Sequence, residues 1–204
     1  MSLRKRFHAW LLSRATVRYD ATVNRYKVEL FAGIKGMVVE IGPGPGSNLK
    51  YYPKDITLVG IEPNIFMHRY FDAEARKLGL QNMKLITASA EHIPLKDNVA
   101  DAVVSTLVLC SVADPGRVLE EVRRVLKPGG KFIFLEHVAA RKKSPLYLAQ
   151  KIFKPFWKLI ADGCNPDRET LTSINKAGFE KISAVPLKIG KSIISPHIAG
   201  VALK

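Results

Sequence analysis

Glu40-Ile-Gly-Pro-Gly-Pro-Gly46 closes an apolar run that begins at Met37, and its reading decides the fold. Met37-Val-Val-Glu-Ile41 reads as a buried strand, and the glycines behind it let the backbone approach a ligand closely. A second apolar run, Thr57-Leu-Val-Gly-Ile61, ends in an acid, Glu62, followed by Pro63. A strand, a glycine turn and an acid closing the next strand make half of a nucleoside-binding site, in which the acid grips two ribose hydroxyls. Gly42, Gly44 and Gly46 stand two apart, and Ser47 occupies the place of the third glycine of a dinucleotide fingerprint. A pyrophosphate is therefore disfavoured. A glycine turn headed by Glu40 suits a ligand with a cationic amino-acid tail instead.

From Gly36 onward strands alternate with helices. Strands are expected at 37–41, 57–62, 83–88, 101–107 and 131–136, with two more near 180–186 and 197–203. Asn64 caps a helix that runs to Leu78 and ends at Gly79. Asp114-Pro115 opens another helix, whose stripe is Val118, Leu119, Val122, Val125 and Leu126. Lys127-Pro-Gly-Gly130 ends it and turns the chain into the next strand. Such alternation implies an α/β fold with a mostly parallel sheet covered on both faces. Residues 4–32 read as helical, with Tyr19, Val23, Tyr26 and Leu30 on one face and a break near Ser13 to Thr16. Residues 141–161 are basic and apolar together, interrupted by Pro145 and Pro155, and a helix is expected over Asp167 to Ala177.

With 204 residues, one domain is the simplest count, and a core needs no staples. Thirty-two Lys+Arg against eighteen Asp+Glu give a charge of +14, a field that attracts phosphate-rich partners or reflects only a solvated basic surface. Cys110 and Cys164 make no disulfide framework and lack metal-ligand spacing, so a reducing compartment and no metal are expected. No apolar run reaches the roughly 20 residues that span a bilayer. A cytoplasmic protein, soluble or peripheral on a membrane, follows.

Glu40-Ile-Gly-Pro-Gly-Pro-Gly46, Glu62-Pro-Asn64, Ala90-Glu-His-Ile-Pro94, Asp101-Ala-Val-Val-Ser105 and Leu126-Lys-Pro-Gly-Gly130 together resemble the class I S-adenosylmethionine-dependent methyltransferases. The resemblance implies a Rossmann-like seven-stranded sheet and S-adenosyl-L-methionine as cofactor. It implies that Glu62 binds the ribose diol and that Ala90 and Glu91 sit by the adenine. The backbone at Thr106 and Leu107 would face the sulfur end of the ligand. Tyr19-Asp20 looks like the Tyr-Asp pair of an N-terminal lid, here residues 1–33 of a single domain covering 1–204. Thr106-Leu-Val-Leu-Cys-Ser-Val112, Glu136-His-Val-Ala-Ala140, Asp162-Gly-Cys-Asn165 and Pro196-His-Ile198 are similar to the membrane-associated methyltransferase-like proteins that methylate small alkyl thiols. The quinone-biosynthesis C-methyltransferases share the core motifs but fit these later segments less well. Those thiol enzymes start with a longer hydrophobic anchor, whereas this chain starts with a short basic amphipathic stretch.

A thiol acceptor must lose a proton, because the thiolate is the nucleophile. His137, at the end of the fifth strand, is the candidate base, since imidazole titrates near neutral pH; Asp162 could serve instead or orient the substrate. Residues 141–166 are expected to insert as a substrate lid, with Ile152, Phe153, Phe156 and Trp157 as an apolar wall and lysines suited to an anionic membrane surface. A small lipophilic acceptor, an alkyl thiol, is the first reading. A C- or O-methyltransferase of quinone-like or phenolic molecules is the second. An RNA methyltransferase and a catalytically silent cofactor-binding protein stand behind them. Nucleic acid is disfavoured because Thr106-Leu-Val-Leu109 stands where a base-flipping tetrad would.

Overall fold

A computed structural model describes residues 2–204, and the side chains of all of these except 2 and 15–18. The order of elements is α1 (Ser2–Phe31), β1 (Met37–Ile41), β2 (Thr57–Ile61), α2 (Ile65–Lys77), β3 (Met83–Ile86), β4 (Ala100–Thr106), α3 (Pro115–Val125), β5 (Leu126–His137), α4 (Pro145–Ile160), α5 (Thr170–Lys176), β6 (Lys181–Lys188) and β7 (Pro196–Leu203). A single 3-10 turn, Leu49–Tyr51, follows the glycine loop.

The seven strands form one sheet in the order β3-β2-β1-β4-β5-β7-β6. β1 pairs in parallel with both β2 and β4, so the strand order reverses beside it. A ligand crevice is expected at the carboxyl ends of the strands at such a reversal. β7 runs antiparallel between β5 and β6. That direction carries the first residues of β7, not its last, to the carboxyl rim, where His197 pairs with His137.

Alternation along the strands separates two apolar layers. Val39, Val103, Phe132 and Phe134 pack under α3, whose Val118, Leu119, Val122 and Val125 are all buried. At about 2 kcal/mol for each buried side chain, that stripe rather than helix propensity holds α3 in place. Val38, Val104 and Ile133 face the other way, against Phe71 and Ala75 of α2 and Phe31 of α1. The Asn64 and Asp114 caps accept from the amides of Phe66 and Arg117.

Four details differ from the sequence reading. α1 is continuous, with no break at 13–16. Lys127-Pro-Gly-Gly130 lies within β5 as an irregularity, where Ala100 pairs with Leu126 but Ala102 with Lys131. Pro155 lies inside α4 without ending it. The prolyl ring removes one hydrogen bond, but this stretch of helix is exposed and water can serve the freed carbonyl. Finally, α5 starts at Thr170 rather than Asp167, because the preceding turn is tied elsewhere: the Arg168 guanidinium donates to the carbonyls of Leu109 and Val112. Among the described residues no helix is long and apolar enough to cross a membrane.

Candidate functional site

The glycine loop leaves β1 at the reversal. Gly42 has φ +57°, and a Cβ there would lie 2.6 Å from Val108. Gly44 has φ +55° and open space where its Cβ would be, while its amide donates to Glu62 Oε2 at 3.1 Å. Gly46 closes the turn by donating to the Pro43 carbonyl. The Asn64 amide donates to Glu62 Oε1 at 2.8 Å, so the acid at the end of β2, followed by Pro63, is fixed against the loop. Burial raises the Glu62 carboxyl against these two amides.

Glu40 is buried as well. Its Oε1 accepts from Asn48 Nδ2 at 2.6 Å and its Oε2 from the Tyr52 hydroxyl at 3.0 Å. Burial pushes its carboxyl up to about 7 in spite of these donors. Asn48 Nδ2 also donates to Thr106 Oγ1, which joins the heads of β1 and β4. Leu107 follows with φ +58°, a left-handed turn for a branched side chain and a form of backbone strain that clusters at functional sites. Glu40, Gly42, Gly44, Thr106 and Leu107, with Tyr19 of α1, line one cavity of about 150 Å³. Ala90 is buried in the apolar layer next door. Glu91 accepts from the Ala113 amide and the Ser89 hydroxyl. Burial raises the Glu91 carboxyl, but those hydrogen bonds outweigh it and hold it low.

On the other side of Tyr19 lies a second cluster. The Tyr19 ring stacks on His197 at 5.7 Å, and His197 meets His137 edge-on at 6.1 Å. His197 Nδ1 donates to the Ser195 carbonyl at 3.1 Å, which leaves Nε2 as a bare lone pair. Burial holds this imidazole down at about 4, so it is neutral at pH 7. His137 Nε2 lies 2.6 Å from Cys164 Sγ, to which Trp157 also donates. Hydrogen bonding with Cys110, then with His137 and Trp157, brings the Cys164 thiol down to about 5 against its burial, and the Cys110 thiol is pushed well up. Glu136 accepts from the Ser105 hydroxyl and the Val108 amide through Oε1 alone. Four buried polar atoms here have no hydrogen-bond partner among the described residues: Tyr19 Oη, Glu136 Oε2, His137 Nδ1 and His197 Nε2. Buried polar atoms are normally satisfied, so this concentration marks a place shaped for something else.

Asp162 is not part of that cluster. It sits in a left-handed turn after α4, with φ +47°, and accepts from His8 Nδ1 at 2.8 Å with Arg4 at 3.8 Å. Asn64 Nδ2 donates to the Lys5 carbonyl, so the first turns of α1 are fastened to both α4 and α2 across the rim. Further along α1, Asp20 accepts from buried Lys27 at 2.6 Å and from Tyr51 at 2.9 Å, which pins the helix to the 3-10 turn. A wider cleft of about 500 Å³ opens at the opposite, amino-terminal edge of the sheet beside Lys35, Asp101 and Lys127. It holds none of the candidate cofactor-binding or catalytic residues, and the carboxyl rim, where the strained backbone and unpartnered groups converge, is the better candidate.

Sequence reasoning missed Glu136, His197, Cys110 and Cys164 as site residues. The segments Glu136-His137, Asp162-Gly-Cys-Asn165 and Pro196-His-Ile198 had marked the neighbourhood, but only the antiparallel β7 and the loop after α4 bring these side chains together. Spacing alone places Cys110 and Cys164 far apart, yet their sulfurs and a His137 nitrogen lie within 4.8 Å of one another.

Comparison with known proteins agrees with this geometry. Residues 39–134 match the family model described as a methyltransferase domain. The chain is 35% identical to the thiol S-methyltransferase TMT1A of Homo sapiens, over 98% of this chain and 87% of that protein. It is 36% identical to the thiol S-methyltransferase TMT1B of Rattus norvegicus over the same shares. Among solved structures, a Haloferax volcanii methyltransferase in complex with its Trm112 activator superposes with a TM-score of 0.73 at 17% identity, covering 99% of this chain and 97% of that one, which speaks for the fold alone. The chain belongs to the S-adenosylmethionine-dependent methyltransferase family that includes these thiol S-methyltransferases.

Proposed function

We propose that this methyltransferase moves the methyl group of S-adenosylmethionine to the sulfur of a small lipophilic thiol. One observation carries the reading: the unpartnered groups of Tyr19, Glu136, His137 and His197 meet beside the glycine loop, around two buried cysteines. The thiol relatives support the same acceptor.

In this reading Glu62 holds the ribose hydroxyls, and the open face of Gly44 admits the ligand backbone. Glu40, with Gly42 and Gly46 shaping the loop, meets the ammonium of the amino-acid tail; Pro63, Ala90 and Glu91 border the base, and Thr106 and Leu107 the sulfonium. The bound donor supplies an electrophilic methyl group. Residues 1–33 are a lid, with Tyr19 separating the donor cavity from the acceptor cluster. The cavity of about 150 Å³ is smaller than the roughly 300–1,000 Å³ of ordinary ligand pockets, so α1 lifts from the rim to admit the donor. His137 takes the acceptor proton on Nδ1, the nitrogen that Cys164 leaves free, and the apolar walls exclude water. Asp162 acts through the lid rather than on the acceptor: its Oδ1 is engaged by His8 and Arg4 of α1.

The segment 141–166 is the acceptor lid, and its helix also faces outward. Leu148, Ile152, Phe153, Phe156 and Leu159 of α4 are all more than half exposed, as are Leu3 and Phe7 of α1. Asp162 ties these two greasy, lysine- and arginine-flanked surfaces together. Such a surface suits peripheral contact with an anionic membrane that delivers lipophilic acceptors.

Labelled-methyl transfer across alkyl thiols, quinols, phenols and RNA, with mass spectrometry of the products, tests the reading. Labelled thioethers are expected; a labelled quinol or RNA with unlabelled thiols overturns it. Sedimentation with vesicles tests the surface: the chain should pellet with phosphatidylserine vesicles, and Phe156→Glu should release it. Equal pelleting of both proteins would remove α4 from the contact.

A further inference from the structure

We propose that Cys110, His137 and Cys164 form a binding site for a soft metal ion, Zn²⁺ above all, with one coordination position left open. The three residues come from the loop after β4, the end of β5 and the turn after α4, and all are buried. Their ligand atoms lie within 4.8 Å of one another. Across a tetrahedral zinc, with bonds of about 2.3 Å to sulfur and 2.0–2.1 Å to nitrogen, such atoms stand about 3.5–3.8 Å apart. His137 Nε2 and Cys164 Sγ, now at 2.6 Å, would have to part by about 1 Å. Cys164 follows Gly163, whose φ is +91°, in a short turn after the helix that can accommodate such a shift.

The backbone around the sulfurs is already fastened. The Asn165 amide and Nδ2 both donate to the Cys110 carbonyl, at 2.9 and 3.2 Å, so the residue after one cysteine holds the main chain of the other. Trp157 Nε1 donates to Cys164 Sγ at 3.2 Å, the kind of outer contact that orients a thiolate ligand. The charges balance. Cys110 loses its proton, while Cys164 is already ionised and His137 only shifts its own proton from Nε2 to Nδ1, leaving two thiolates and a neutral imidazole around a doubly charged ion. A neutral cluster is what a buried site tolerates. Two sulfurs and one nitrogen, with no carboxylate, select a soft or borderline metal over magnesium or calcium. Three protein ligands rather than four correspond to a site that keeps a position for water or substrate.

Beside the cluster stand the rings of His197 and Tyr19. A thiol entering the open position would lose its proton to coordination outright. The imidazole, bound through Nε2, would then carry its proton on Nδ1 and cease to be a base.

The site does not rest on the thiol reading, because its test needs no methyl transfer. The reduced full chain is titrated anaerobically with Co²⁺ and with Zn²⁺. One equivalent of Co²⁺ should give thiolate-to-metal charge-transfer absorption and intense visible bands of a tetrahedral site, and Zn²⁺ should displace it. Calorimetry in buffers of different ionisation enthalpy should count one proton released per ion, that of Cys110. Cys110→Ser and Cys164→Ser, each checked for native circular dichroism, should lose most of the charge-transfer intensity. Absence of the band in the reduced protein, or an undiminished band in either folded variant, overturns the proposal. If both serine variants are unfolded, the proton count on the unaltered chain decides: a value near zero overturns it.

Discussion

The two halves of the carboxyl rim treat their polar groups in opposite ways. Around the glycine loop both acids have a donor on each oxygen: Glu62 from Gly44 and Asn64, Glu40 from Asn48 and Tyr52, with Asn48 Oδ1 left over among the described residues. Beyond Tyr19 the groups stand unsatisfied, with Glu136 using one oxygen and His137 and His197 one nitrogen each. A loop that must hold one large ligand in one pose gains from being locked beforehand. A pocket that receives a small acceptor and passes a proton keeps its groups free, and loses stability for it.

That contrast can be broken most severely at Glu62. Glu62→Ala removes the proposed ribose ligand and orphans two amides. We expect donor affinity to fall by about 2–3 kcal/mol, roughly a hundredfold, in calorimetry. Unchanged affinity would show that the locked half does not hold the sugar. A smaller effect on donor affinity is expected at Glu40, whose carboxyl is raised from 4.5 to about 7 by burial. The folded chain then holds this proton more tightly than the unfolded chain. Stability present below pH 4.5 is lost as pH rises to about 7, by about 3 kcal/mol, and stays lost above it. An ammonium ligand favours the ionised acid, so donor affinity should rise about tenfold between pH 6 and 8. Glu40→Gln should flatten both curves, read by chemical denaturation and calorimetry; persistence of either slope would assign it to another group. The smallest effect belongs to the clasp. Asp162 is partly exposed, so Asp162→Asn should cost less than about 1 kcal/mol in stability. It should still quicken amide exchange in the first turns of α1. Unaltered exchange there would mean that Asn64 alone holds the helix down.

The locked half was largely readable from the chain because its parts are local. Gly42, Gly44 and Glu62 lie on consecutive strand ends, and parallel pairing of β1 with β2 puts them together without further information. The caps at Asn64 and Asp114 and the stripe on α3 are equally local, and all are present. The open half was not readable, because it depends on which way β7 runs and on where the turn after α4 lands. His197 reaches the rim only since β7 is antiparallel, and no periodicity in Pro196–Leu203 carries that direction. Pro155 misled for a related reason: the rule against proline in helices weakens where the lost hydrogen bond faces water. The partner of Asp162 was hidden too, since His8 lies 154 residues away.

α1 is one uninterrupted helix of 30 residues, a rod about 45 Å long. Lys5 and His8 at its start close the donor rim, while Tyr26 and Leu30 near its end wall the broad cleft on the far edge of the sheet. A stiff rod seated at both ends behaves as a lever: it cannot swing clear of one opening without its other end shifting at the second. With α1 acting as the lid proposed above, whatever wedges into the far cleft would alter how readily the donor comes and goes, and the two mouths of this small protein would answer to a single moving part.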